Sequence, residues 1–250
     1  ALALSPVALP AGSSAAPTVG EEILFDGESG AWRPAGAHTE IPLNDNWDRP
    51  KAHPFLFINE VEIAEIKRLA EQDEAFAQAY GWLKKHALEA REALTDSDEW
   101  LGSRSKETVN RIRNVALWYA FEGEEADAEL VRSYLLYMAR EYELSGGTLH
   151  IAEAFVPIVW TYDLVYNYLS EEDRETVEHE LLRPVAEYLV ERPRGANNWQ
   201  SWHNAAIGAI GFVLDDPELY RTAIWGGEEG FAAHAEEKPY LFNGSINYGF

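Results

Sequence analysis

The chain has 250 residues, 46% of them hydrophobic, which is enough for a packed core and excludes a disordered polypeptide. Its 43 acidic residues outnumber 20 basic ones, for a formal net charge of -23, and this excludes nucleic acid as a default partner. There is no cysteine, so disulfide frameworks, thiol catalysis and cysteine-based zinc sites are excluded together.

Residues 1–20, opening "ALALSPVALPAGSSAAP", are small, apolar and interrupted by proline. They read as a signal-peptide remnant or a disordered arm, and the first reading makes the protein secreted or periplasmic. No later run approaches the ~20 apolar residues of a membrane span, so no membrane partner is expected. Residues 21–57 form an irregular lead-in with room for a short strand, and Pro50 and Pro54 block a helix at its end.

Residues 58–250 read as one helical domain. "NEVEIAEIKRLAEQ" places Val61, Ile63, Ile66, Leu69 and Ala70 near one face, with Asn59 as N-cap. "DEAFAQAYGWLKKHALEAREAL" follows, then "SKETVNRIRNVALWYAFEG", which stops at Gly123. "EEADAELVRSYLLYMAREYEL" ends before Gly146 and Gly147. "LHIAEAFVPIVWTYDLVYNYL" is a very apolar helix in which Pro157 predicts a bend. "SEEDRETVEHELLRPVAEYLVER" opens with Ser170 and Asp173 in a capping-box pattern. "NNWQSWHNAAIGAIGFVL" and "PELYRTAIWGGEEGFAAHAEE" complete the series, with Pro217 suited to a first turn. These are about eight helices on short connections, so neighbours should form antiparallel hairpins. Several are apolar on more than one face and should be covered on both sides. An all-α fold with two layers of helices, an α/α toroid built as an incomplete barrel of hairpins, meets that demand; a simple bundle or a helical-repeat solenoid is the plainer alternative.

The segment from Asn197 to Asn204 holds the richest chemistry. Behind it, Ala205, Ala206, Gly208, Ala209 and Gly211 leave almost no side chain. Glycine inside a helix costs about 1 kcal/mol relative to alanine, which makes sense where neighbours approach closely. The helix should therefore be central. Its first turn carries unpaired N–H groups and the positive dipole end, which suit a carboxylate. Asn198 and His203 lie roughly 140° apart on an ideal helix, whereas Trp199 and His203 share a face. The plain alternative makes Asn197 or Asn198 an N-cap and His203 a core histidine.

Four segments, "HPFLFINEVEIAEIKRLAE", "TYDLVYNYLSEEDRE", "NNWQSWHNAAIGAIGFVLDDPEL" and "NGSINYGF", follow one another in an order and spacing that resemble the heparinase II/III-like polysaccharide lyases, a group that includes alginate and oligoalginate lyases. The resemblance covers residues 53–250. It implies an N-terminal α/α toroid followed by a β-sandwich, so the chain resembles the front portion of a longer enzyme whose β-domain adds a further His and Tyr to the cleft. It implies β-elimination on a uronic-acid polysaccharide or oligosaccharide, leaving an unsaturated uronate end. On that resemblance Asn198 donates to the uronate carboxylate, with Asn197 as second choice. His203 assists neutralisation or acts as base, and Tyr248 acts as base or as the acid that protonates the leaving oxygen. Asn243 stands before the Gly-Ser turn where a Glu is frequent in the family.

Further candidates for substrate binding are Arg104, Arg111 and Arg113, in the densest basic cluster, and Arg194 just before the Asn pair. His150 and Glu153 open the apolar fifth helix and could line a cleft. Trp100, Trp118, Trp160, Trp199 and Trp202 are candidates for sugar stacking; tryptophans at helical spacing are mostly core, so Trp199 and Trp202 are the choices. Tyr162 and Asp163 are assigned a buried structural hydrogen bond, and His53, His86, His179 and His234 no role. No metal-ligand spacing occurs, so neither metal nor other cofactor is expected. Two other functions fit the same sequence: a toroid that binds uronate polysaccharide without altering it, and an α/α-toroid glycoside hydrolase, which would need two carboxyl groups ~5–9.5 Å apart.

Overall fold

A computed structural model describes residues 23–26, 31–34, 52–96, 100–101, 103–194 and 197–225. Two short strands come first. β1 (Ile23–Asp26) pairs antiparallel with β2 (Ala31–Pro34), Ile23 opposite Pro34 and Asp26 opposite Ala31.

The helices are α1 (Glu60–Gln72), α2 (Glu74–Thr95), α3 (Lys106–Glu122), α4 (Glu125–Glu141), α5 (Thr148–Val165), α6 (Glu171–Val177), α7 (Arg183–Val190), α8 (Asn198–Val213) and α9 (Pro217–Trp225). Local chemistry sets their ends. Asn59 and Glu62 form a reciprocal capping box at α1, and Ser170 and Asp173 form another at α6. Asp73 closes α1 and caps α2, accepting from the N–H groups of Ala75 and Phe76. Gly123 stops α3 at φ 72°, a left-handed conformation that a residue without Cβ adopts freely.

One expected helix is built differently. The run from Glu171 to Val190 is interrupted by a π turn, Glu178–Leu182. Pro184 has no N–H for the carbonyl one turn back, and the Arg183 N–H reaches five residues back to Glu178. The widened turn brings the Glu178 carboxylate to the hydroxyl of Tyr162 on α5, 2.5 Å away. α5 itself runs through Pro157 as a single helix.

The packing order is α1 on α2, α2 on α3, α3 on α5, α5 on α8 and α8 on α9. α4 lies against α3 and α5, and α6, the π turn and α7 pack behind α4 and α8. Connections of two or three residues between α3 and α4 and between α8 and α9 force those pairs antiparallel. The result is an all-α arrangement of the incomplete α/α-toroid kind, with α3, α5 and α8 side by side as the inner row. α5 accordingly is buried along most of its length, and its Phe155, Ile151, Ile158 and Tyr162 are among the largest fully buried side chains. Among the described residues no helix is long and apolar enough to cross a membrane.

The small residues of α8 admit α9. A Cβ on Gly208 would stand 3.3 Å from the Ala223 Cβ. A Cβ on Gly211 would stand 2.6 Å from the Tyr220 backbone nitrogen and 2.9 Å from the Leu219 Cβ. Backbone cannot swing aside, so Gly211→Ala should destabilise the protein by about 1–3 kcal/mol although alanine is the better helix former. Urea unfolding of the variant checks this; a variant as stable as the parent would mean that α8 and α9 lie further apart.

The lead-in is fastened to α5 by Asp163. This carboxyl group is 1% exposed. Its Oδ1 lies 2.6 Å from the His53 Nδ1, and its Oδ2 accepts from the backbone N–H groups of Phe55 and Leu56 at 2.8 and 2.7 Å. The His53 ring stacks on Tyr166 at 3.6 Å, and the Asn167 amide donates to the His53 carbonyl. Asp163 thus makes the structural bonds expected of it. His53, expected to be a bystander, is a buried-clasp residue whose partner lies 110 positions away.

A cationic, tryptophan-walled cleft as the candidate functional site

A cleft of about 610 Å³ opens between the first turns of α3 and α5. α3 contributes Lys106, Val109, Asn110 and Arg113, which recur at helical spacing along one stripe. α5 contributes His150, Glu153, Ala154, Pro157 and Trp160 on its facing stripe. Arg104 enters from the loop before α3 and Trp202 from α8.

The charges are unusual for so acidic a chain. Arg104 donates to the Tyr142 hydroxyl and to the Ser145 carbonyl, 2.5 and 2.8 Å, and meets no described carboxylate. Among the described residues Arg113 reaches only the Asn114 side-chain oxygen, 3.1 Å. It is half-buried, and burial works against its charge, pulling its pKa down. Lys106 forms no ion pair with a described residue. Three cations thus face one cleft without neutralising partners among the described residues, where an anion entering would be attracted by all of them. His150 and Glu153 form the loose pair of the cleft, Nδ1 to Oε2 at 3.5 Å, with both side chains open to solvent.

α8 begins beside this cleft. Asn197 is its N-cap: the side-chain oxygen accepts from the N–H groups of Trp199 and Gln200, and the amide donates to the Arg194 carbonyl. Its polar atoms are therefore occupied. Asn198, the first helical residue, is partly exposed and has no side-chain hydrogen bond to a described residue. It lies one turn before Trp202, a cleft residue, on the same helix face, and is not itself among the residues lining the cleft. Trp199 and Trp202 are 39% and 37% exposed, high for their size. Trp199 lies under the Arg194 guanidinium, 5.5 Å from its ring, and away from the cleft lining.

A polar bracket holds the start of α8. Arg194 donates through Nε to the Thr148 hydroxyl at the start of α5, 2.9 Å. Its backbone N–H donates to the buried Gln200 side chain, 2.7 Å, and Gln200 donates on to Asn204, 2.8 Å. Gln200, Asn204 and Thr148 escaped sequence reading, although Gln200 and Asn204 stand one helical turn apart inside an otherwise small and apolar helix.

His203 is fully buried, and neither ring nitrogen has a hydrogen-bond partner among the described residues. Burial, and secondarily the Arg194 charge, lower its pKa to about 4. At neutral pH it is uncharged and offers one N–H and one lone pair. Its folded value lies below the ordinary 6.5, so between about 4 and 6.5 the unfolded chain binds the proton more readily, and stability rises with pH across that window. His203→Leu removes this dependence. Urea unfolding should find the parent gaining on the variant from pH 4.5 to pH 7; an identical difference at both values would contradict a buried neutral imidazole.

The structure therefore gathers Arg104, Arg113, His150, Glu153 and Trp202 in one cleft, with Asn198 at its edge. Trp160, one of the stacking candidates not chosen from sequence, lines the cleft, tilted against Phe57 at 5.0 Å. Arg111 lies elsewhere: it pairs with Glu107 one turn back, 2.6 Å, because the neighbouring helix turn offers a carboxylate first. Tyr248 and the Gly244-Ser245 turn lie outside the described residues. Among the described residues no group of three potential metal ligands is present.

No family model matches the chain. It is similar to an alginate lyase of Stenotrophomonas maltophilia (strain K279a), 30% identical over 129 aligned residues that cover 44% of this chain and 17% of that protein. It is also similar to an exo-oligoalginate lyase of Saccharophagus degradans (strain 2-40), 27% identical over 209 aligned residues, 72% of this chain and 28% of that protein. The chain thus spans less than a third of the length of either curated relative.

Proposed function

We propose that this chain, a relative of the alginate lyases, belongs to a polysaccharide lyase that cleaves uronic-acid chains by β-elimination. One observation carries the reading beyond the relatives' names. A strongly acidic protein leaves three cations without described counter-charges in a cleft walled by two tryptophans, beside the start of α8. Cations hold uronate carboxylates, and indole faces hold sugar rings.

The reaction removes the proton at C5 of the uronate. Its electrons form the C4=C5 double bond, the C4–O bond breaks, and the departing oxygen takes a proton. Charge develops on the carboxylate next to C5 as the proton leaves, so catalysis needs donors aimed there. In this proposal Asn198 supplies an amide N–H, aided by the positive dipole end of α8, whose Trp199 and Gln200 N–H groups are already taken by the Asn197 cap. His203 is fully buried and outside the cleft lining, so in this proposal its neutral imidazole takes part, by hydrogen bond or as base, only once the ring is opened to the substrate. Tyr248 is the second proton carrier, base or acid. A phenol has a reference pKa near ~10 and acts as base only beside a cation. Arg104 and Arg113 grip carboxylates along the chain, and Trp202 and Trp160 bracket the sugars. The N-terminal segment supports an exported enzyme that meets its polymer outside the cytoplasm.

Ultraviolet absorbance of the purified chain mixed with alginate, heparan-type glycans, hyaluronan and other polyuronates tests the proposal. Growth of the unsaturated-uronate signal with one of them is expected. A flat trace with every polymer, from this chain and from a longer chain carrying the β-domain that the resemblance implies, while calorimetry shows the same polymers bound, would replace the lyase by a binding protein.

A further inference from the structure

The cleft holds both signs of charge and does not pair them. Arg104, Lys106 and Arg113 meet no described carboxylate, yet Glu153 lines the same cleft. Its one described partner is His150, 3.5 Å away and largely exposed. A carboxylate that served only to balance charge would sit on Arg113 or Lys106. Glu153 instead stays open to whatever occupies the cleft, one turn before Pro157 and on the stripe that ends at Trp160. The cleft therefore has its cations on and just before α3 and its carboxylate, Glu153, on α5 beside His150.

Resting on the uronate reading above, we propose that Glu153 is a specificity residue. It accepts hydrogen bonds from free ring hydroxyls of the bound uronate and turns away sugars that carry sulfate or O-acyl groups at those hydroxyls. The chemistry is direct. A free hydroxyl donates to a carboxylate; an acetylated one has no proton to donate and leaves the acceptors unpaired. A sulfate brings a second negative charge against the first, which is repulsion rather than recognition. Arg104, Lys106 and Arg113 attract any anion in the cleft, so the selection acts where a substituent meets the Glu153 carboxylate itself.

The experiment is isothermal titration calorimetry of the whole chain with one polyuronate in three forms: unsubstituted, O-acetylated and O-sulfated. The parent should bind the unsubstituted polymer at least about tenfold more tightly than either derivative, the factor expected from one close like-charge contact or one unmade charged hydrogen bond. Glu153→Gln removes the charge and keeps an acceptor, so the sulfated polymer should come within about threefold of the unsubstituted one. Glu153→Ala removes the acceptor also, and the acetylated polymer should gain in the same way. If the parent discriminates as expected and both variants keep its full preference, Glu153 is not the selector, and the uronate-binding reading stands without it. If the parent binds none of the three forms, the uronate reading itself fails and takes this inference with it.

Discussion

Replacing Asn198 by alanine should lower turnover of uronate polysaccharide by about 10²–10³-fold, the usual loss when one donor to a developing oxyanion is removed. The fold should survive. Asn198 is the first helical residue of α8, is partly exposed and has no side-chain bond to a described residue, and alanine is the better helix former there. The neighbouring position gives the internal control. Asn197 spends its side chain on the Trp199 and Gln200 N–H groups and on the Arg194 carbonyl. Asn197→Ala should therefore cost about 1 kcal/mol of stability through the lost cap, with the smaller effect on rate. Steady-state rates by ultraviolet absorbance, beside urea unfolding, separate the two. An active Asn198→Ala protein, or an Asn197→Ala protein that is stable and inactive, would exchange their roles and sink the assignment of the carboxylate donor.

The contrast between these two asparagines shows what sequence could and could not supply. Both are polar residues ahead of a small apolar helix, and either could be the cap; only the backbone geometry assigns Asn197 to it, at φ -153° and ψ 179°. Features governed by local chemistry were legible. Asn59 with Glu62, Ser170 with Asp173, Gly123 and Pro217 all mark helix ends at the positions their types demand. The close approach coded by Gly208 and Gly211 was legible too, because small residues at that spacing have few other uses. What stayed hidden depends on which helices meet. Trp160 is a core residue by periodicity, and it lines a cleft only because α3 stands opposite α5 with Arg113 and Lys106 turned toward it. The stripe His150, Glu153, Pro157 and Trp160 could have been read as one face, but nothing local says that the face is wet. The clasp from His53 to Asp163 spans 110 residues and has no local signature.

That clasp carries the largest expected effect on stability. Asp163→Ala should destabilise the protein by about 3–5 kcal/mol, the cost of breaking a buried pair and leaving its partners unmatched. Three groups lose an acceptor at once: the His53 ring and the N–H groups of Phe55 and Leu56, in a part-buried place where water replaces them poorly. Such a loss is a large share of the ~5–15 kcal/mol that holds a domain folded. Asp163→Asn keeps shape and one acceptor but turns an NH₂ toward existing donors, so it should rank between the parent and alanine. The effect should also travel to the cleft. Phe57, two residues beyond Phe55, packs against Trp160, and a released lead-in withdraws that support from the cleft wall. Urea unfolding should therefore show the order parent, Asn, Ala, and polyuronate affinity at full folding should fall in the same order. An Asp163→Ala protein within 0.5 kcal/mol of the parent, a margin usual for surface substitutions, would mean that the lead-in is held by something other than this carboxyl group.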